Sequence, residues 1–247
     1  MKITIDGAET VCQPGERLLD IAERAGVRIP TLCHHEGLQG QGCCRVCVVE
    51  VETGGRSEIV AACVFPVEQE CAVFTNSDRV RKDRGVILAL LRARAPESDG
   101  IERLCREYGA PDFSNFITET DSDKCILCGL CVKACESLGT GAISMVNRGI
   151  GKKAATPYDE PALVCVGCGS CAAVCPTGAI PVVEDEDGRI IWKKKLPHAR
   201  CTRCGVVFGT MFEHYRASER AGAPPAELCP DCRRKALTDQ LADTFGR

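Results

Sequence analysis

Two runs of four cysteines carry most of the chemistry legible in this chain. "CILCGLCVKACE" sets Cys125, Cys128, Cys131 and Cys135 at C-x2-C-x2-C-x3-C, and "CVGCGSCAAVCPTGAI" repeats that spacing with Cys165, Cys168, Cys171 and Cys175. Thiolate sulfur is a soft donor that suits iron and sulfide. In such a run three cysteines wrap one cubane. Where two runs share a domain, the fourth cysteine ligates the other cluster. The spacing therefore assigns Cys125, Cys128, Cys131 and Cys175 to one [4Fe–4S] cluster, and Cys165, Cys168, Cys171 and Cys135 to a second. Pro176 completes the usual C-P ending of the second run, where the first has Glu136. Gly129, Gly167 and Gly169 permit tight turns that aim backbone N–H groups at sulfur. Matched spacing at eight positions argues against zinc pairs or inert thiols.

A further four cysteines lie near the N-terminus: Cys33, Cys44, Cys47 and Cys63. Four thiolates on a β-rich frame suit a [2Fe–2S] cluster, although the first loop is longer than the plant-type C-x4-C. Cys43 adjoins Cys44 and competes with it, but Cys44 alone makes C-x2-C with Cys47. A zinc site on loops is the bland alternative. At the other end, Cys201 and Cys204 form one C-x2-C knuckle and Cys229 and Cys232 a second. This approaches zinc-ribbon spacing and reads as a structural zinc site. A rubredoxin-like single iron or a further [4Fe–4S] cluster stand as alternatives. Cys12, Cys71 and Cys105 are spare; Cys12 and Cys105 read as small buried hydrophobes. His34 and His35 read as solvated or partner-facing, and His198 and His214 as poor ligand candidates. "WKKK" at 192–195 reads as a strand with solvated lysines, with a basic docking patch as the alternative.

Twenty cysteines in 247 residues fit either a disulfide framework or metal sites. "MKITIDGAETV" alternates apolar and polar residues and has no apolar signal core, so cytoplasmic, metal-bound thiols are expected. No apolar run approaches a membrane span, and direct membrane insertion is not expected. The net charge of −3 gives no basic surface for nucleic acid. No nucleophile elbow, zinc-protease helix, P-loop or dinucleotide fingerprint is present, so nothing visibly binds substrate, flavin or nicotinamide.

The elements that must hold these sulfurs give an α+β multidomain reading. Residues 1–76 read as a β-grasp [2Fe–2S] domain: a hairpin turned at Asp6-Gly7, a helix through "ERLLDIAERAG", then two strands joined across Gly54-Gly55. Residues 77–120 read as a helical connector, with a polar linker over 110–123. Residues 121–197 read as a bacterial ferredoxin-like domain with two [4Fe–4S] clusters, plus a hairpin turned at Asp187-Gly188. Residues 198–247 read as a zinc-ribbon-like module with a helical middle and tail.

The stretches "PTLCHHEGLQGQGCCRVCVVEVE…AAC", "DKCILCGLCVKACESLGTGAISMVNRGIG" and "ATPYDEPALVCVGCGSCAAVCPTGAI" resemble one family over roughly residues 1–182. They are similar to the N-terminal region of the large iron–sulfur subunit of NADH:quinone oxidoreductase (complex I). They are equally similar to the small iron–sulfur subunit of NAD-linked hydrogenases and formate dehydrogenases. The resemblance implies a relay of one [2Fe–2S] and two [4Fe–4S] clusters. It would run between a flavin (FMN) NADH-binding subunit and a hydrogenase or formate dehydrogenase catalytic subunit. Two departures stand out. The family's one-histidine, three-cysteine cluster has no ligands here, since residues 64–124 hold only Cys71 and Cys105 and no histidine. The C-terminal knuckles lie outside the basic pattern. A free-standing ferredoxin shuttle, a succinate- or fumarate-type iron–sulfur subunit and a catalytic enzyme are the rival expectations.

Overall fold

The computed structural model describes residues 1–38, 40–116 and 124–245, so 117–123 of the expected polar linker lie outside the described residues. Two compact units emerge. One comprises Met1–Ala134, Met145–Ala154 and Val174–Ala179; the other comprises Cys135–Ser144, Ala155–Ala173 and Ile180–Arg247.

In the first unit, β1 (Lys2–Ile5) and β2 (Ala8–Val11) form the expected hairpin. Asp6 and Gly7 take φ of 49° and 86°, the mirror-image turn that matches strand twist. After β3 (Glu16–Arg17), α1 (Leu18–Arg24) buries Leu18, Leu19, Ile21 and Ala22. β4 (Val48–Thr53) and β5 (Arg56–Ala61) pair in register across Gly54-Gly55. β6 (Pro66–Val67) pairs with β3, and β7 (Ala72–Phe74) runs parallel to β1 and antiparallel to β4. The resulting order is β2-β1-β7-β4-β5. Ile3, Ile5, Val49, Val51 and Val73 point from its strands into one core with α1, as period-two alternation requires.

Two helices follow the sheet. α2 (Asp78–Arg94) starts at Ser77, whose side chain accepts the Val80 N–H, and α3 (Asp99–Tyr108) starts at Ser98 in the same way. α3 ends at Gly109 in the left-handed region. Gly85 lets the backbone near Tyr108 approach α2; a β-carbon there would lie 3.4 Å from the Tyr108 carbonyl oxygen. A second core joins Leu88, Ile101 and Cys105 of these helices to Cys33, Cys44 and Cys128.

The chain continues through α4 (Leu130–Ser137), β8 (Ser144–Val146), β9 (Lys153–Ala155) and α5 (Ser170–Ala173). The second unit then builds a sheet from β10 (Val183–Glu184), β11 (Gly188–Ile191), β12 (Lys194–Arg200) and β13 (Val207–Thr210), in that order. Helices α6 (Met211–Ala221) and α7 (Pro230–Phe245) follow. The expected hairpin forms between β10 and β11, but Gly188 opens β11 instead of turning the chain. Its role is close approach, because a β-carbon there would meet the Leu196 carbonyl of β12. A second hairpin, β11 to β12, turns at Trp192-Lys193 without any glycine or asparagine to announce it.

Candidate metal centres

Cys33 lies in the loop after α1, Cys44 and Cys47 lie just before β4, and Cys63 follows β5; all four are buried. Cys47 and Cys63 hold their sulfurs 3.3 Å apart, and the Cys44 N–H donates to Cys33 Sγ at 3.4 Å. Hydrogen bonds from Cys43 and Cys44 hold the Cys33 thiol well below the ordinary thiol range. The Cys63 thiol pulls Cys47 down to about 7. Cys43 itself is exposed, with its sulfur 3.7 Å from the Cys128 carbonyl oxygen.

Sequence reasoning missed Arg84. This α2 side chain is 1% exposed. It donates to the carbonyls of Val46 (3.0 Å), Val48 (2.6 Å) and Thr75 (3.2 Å). Two of those carbonyls flank Cys47, and the guanidinium lies 4.7 Å from the Tyr108 ring centroid. Burial lowers its pKa, opposed by the tyrosine and by the Cys47 sulfur. The signal available was an arginine on the apolar face of a helix, at four-residue spacing from Val80 and Leu88.

In the repeat, burial pushes Cys128 up to about 11 and Cys131 up to about 12. The next influences on both include Cys125 and Cys175. Burial likewise raises Cys165 and Cys171, and their sulfur neighbours include Cys135 and Cys168. Cys175 thus sits in the first unit with Cys125, Cys128 and Cys131, and Cys135 sits in the second with Cys165, Cys168 and Cys171. A pocket is lined by the latter four cysteines and by Ile191 and Trp192. Buried thiols of this kind stay protonated at neutral pH unless a cation displaces the proton, so these donor sets fit thiophilic metal and would release protons on loading.

A second repeat lies inside the first. "TGAI" occurs at 140–143 and again at 177–180. Cys135 Sγ receives the Ala142 N–H at 3.1 Å and contacts Thr140 Oγ1 at 3.1 Å. Cys175 Sγ receives the Ala179 N–H at 3.3 Å and contacts Thr177 Oγ1 at 3.6 Å. Each fourth cysteine is therefore oriented by the same tetrapeptide, a support that sequence self-comparison would have found.

The C-terminal sulfurs of Cys201, Cys204, Cys229 and Cys232 all lie within 4.8 Å of one another. The first knuckle joins β12 to β13, with Gly205 at φ 73°. The second opens α7. The Cys229 backbone N–H draws the Cys201 thiol down to about 6, while burial pushes Cys232 up to about 12. His214 stacks 4.4 Å from the Phe208 ring centroid, and His198 Nε2 pairs with the Asp185 carbonyl at 2.9 Å. Neither joins the sulfur group. His35 is exposed, whereas His34 is half-buried with its Nδ1 shielded. Cys12 and Cys105 are buried and Cys71 half-buried. Cys12 packs in the sheet core, and the Cys105 sulfur points to the Leu88 carbonyl at 3.5 Å. Of the "WKKK" lysines, Lys193 and Lys195 are exposed, each with a surface bond to a carbonyl or carboxylate, whereas Lys194 is half-buried and held by backbone carbonyls.

Residues 1–78 match the 2Fe-2S iron-sulfur cluster binding domain family, and residues 124–179 and 164–206 match the 4Fe-4S dicluster domain family. The chain is 36% identical over 224 residues to the NADP-reducing hydrogenase subunit HndD of Solidesulfovibrio fructosivorans, across 78% of this chain and 37% of that protein. It is 34% identical over 203 residues to the NADPH-Fe(3+) oxidoreductase subunit alpha of Geobacter sulfurreducens, across 73% of this chain and 24% of the relative. An NADH-quinone oxidoreductase subunit of Rhizobium meliloti is 28% identical, across 83% of this chain and 27% of the relative. The chain thus spans about a quarter to two fifths of the length of these relatives. The crystal structure of an NAD+-reducing [NiFe]-hydrogenase in the H2-reduced state aligns with a TM-score of 0.61 at 28% identity. That alignment covers 72% of this chain and 85% of that one. Among the described residues, no helix is long and apolar enough to cross a membrane.

Proposed function

We propose that this chain, a homologue of the iron–sulfur subunits of NAD(P)-linked hydrogenase and oxidoreductase complexes, is an electron relay between two partner proteins. One partner is a flavin subunit that exchanges electrons with NAD(P)H. The other is a catalytic subunit, and hydrogenase similarity favours hydrogen over formate as its substrate. Iron–sulfur clusters supply one-electron storage and transfer. The protein's part is to hold, orient and shield them. Cys33 and Cys44 would take one iron of a [2Fe–2S] cluster and Cys47 and Cys63 the other, as the close Cys47–Cys63 pair suggests. Cys125, Cys128, Cys131 and Cys175 would hold one [4Fe–4S] cluster, and Cys135, Cys165, Cys168 and Cys171 the second.

The observation that carries this reading is the grouping of the eight repeat cysteines into two crosswise sets. In this reading residues 1–76 form a β-grasp [2Fe–2S] domain, 77–120 the connector, 121–197 the ferredoxin-like domain and 198–247 a metal-stapled module. The last holds one zinc ion. Four sulfurs within 4.8 Å approach the edge of a tetrahedron with zinc–sulfur bonds of about 2.3 Å, which is too tight to enclose a four-iron cube. Anaerobic purification with metal and sulfide analysis tests the whole assignment. About ten iron and one zinc per chain are expected. Eleven iron without zinc would put iron at the last site, and about fourteen would mean a third cubane. Copurification with flavin and catalytic subunits is expected; a chain that purifies alone from its native source would favour a free shuttle.

A further inference from the structure

Trp192 is the chain's only tryptophan and occupies a place that costs backbone energy. Ile191 pairs with Lys194, leaving a two-residue turn in which Trp192 and Lys193 take φ of 51° and 61°. Such turns favour Asn-Gly. Left-handed backbone is strained in other L-residues, and such outliers persist where the surroundings demand them. Here the turn aims the indole into the second cubane pocket, with Nε1 donating to Cys171 Sγ at 3.4 Å. Two residues on, the chain adds a fixed cation. Lys194 Nζ is held by the carbonyls of Ala162 (3.1 Å), Leu163 (2.8 Å) and the ligand Cys165 (2.8 Å).

The first cubane set has no counterpart among the described residues. Its fourth cysteine has the same threonine and alanine support as its twin. Cys125 receives the Leu127 N–H, at 3.4 Å. The described hydrogen-bond contacts of this set's sulfurs are with the Leu127 and Ala179 N–H groups and the Thr177 hydroxyl. The two sites therefore differ by one indole donor and one ammonium group.

Resting on the relay reading above, we propose that Trp192 and Lys194 raise the reduction potential of the Cys135/Cys165/Cys168/Cys171 cluster above that of its twin, making it the electron-resting site of the pair. Adding an electron adds negative charge to the sulfurs, and a donor or cation aimed at them stabilises that state more than the oxidised one. The step is balanced: one cluster loses the electron that the other gains. Trp192 and Lys194 act as positioning residues that set this equilibrium.

The test is a potentiometric titration of the anaerobic, cluster-loaded full chain, followed by paramagnetic resonance. The second-site signal is assigned from a Cys168→Ser variant. Trp192→Phe and Lys194→Gln are each expected to shift the electron's distribution toward the first cubane, together by about tenfold, or about 59 mV for a one-electron couple. The double variant Trp192→Asn/Lys193→Gly relaxes the turn. It should unfold no more easily than the parent yet show the potential shift of Trp192→Phe, separating electrostatics from folding. Unchanged second-site potential in all three, with iron content intact, overturns the proposal. A parent chain with only one cubane signal would overturn the second-site assignment itself, which iron analysis distinguishes from a failed shift.

Discussion

The N-terminal and C-terminal four-sulfur groups use the same donor type in opposite surroundings. Cys47 and Cys63 belong to a core that also includes Ile3, Ile5, Leu18, Ile21, Val49, Val51 and Val73. Cys33 and Cys44 pack into a second core with Leu88 and Ile101. The frame is a five-stranded sheet covered by helices, and it has enough apolar contact to form around its sulfurs. The C-terminal core consists of Cys201, Cys229 and Cys232, with Phe208 and Leu228 packed against them. α6 buries no side chain and α7 buries only Cys232. A module with so little apolar burial cannot offset its chain entropy unaided. The lesson is that one group is built into a fold, whereas the other substitutes for one.

The largest expected effect breaks this symmetry outright. Removing the proposed C-terminal ion, by chelation or by Cys229→Ala, should melt α6 and α7, because metal bound there would supply folding free energy. Hydrogen exchange should show loss of protection over 211–245 with β1, β4 and β7 still protected. Protection that survives in α7 without bound metal would sink the contrast. Second in size is Arg84→Met. It leaves the carbonyls of Val46, Val48 and Thr75 without their buried donor, at a cost of about 2–5 kcal/mol. Denaturant unfolding followed at the N-terminal domain measures it. A loss under about 1 kcal/mol would mean that water or relaxed backbone replaces the guanidinium.

Local signals made much of this legible in the sequence. Asp6-Gly7 and Gly54-Gly55 are turn dipeptides whose positive φ only a few residues accept, and both hairpins form there. The cysteine spacing is legible because it is the spacing that a cubane would require. The Trp192-Lys193 turn was not, since neither residue favours its own backbone; the indole's contact with Cys171 accompanies that departure. Lys194 was equally hidden. A lysine run looks solvated until a fold brings three carbonyls to one ammonium group. Arg84 escaped notice because a charge is not expected in a core, and only the fold brings the carbonyls of Val46, Val48 and Thr75 together as its acceptors.

The smallest expected effect is a pH dependence in the N-terminal region. Glu50 on β4 accepts hydrogen bonds from Ser57 at 2.5 Å and from Ser77 at 2.6 Å, with Arg79 at 3.6 Å. Ser77 also caps α2, so this carboxylate ties the helix start to the sheet. The Ser57 hydroxyl, then Ser77, hold its pKa below the usual value of 4.5. A carboxyl with a depressed folded pKa binds protons more tightly when unfolded. Its contribution is complete above pH 4.5 and fades as pH falls through the folded value. Glu50→Gln should flatten the acid limb of N-terminal stability below pH 4.5 and leave the slope above it unchanged. Thermal melts of parent and variant across that acid limb and up to neutral pH, each with its metals loaded, provide the comparison. An equal acid slope in both would show that the serines serve the helix cap and not the carboxylate.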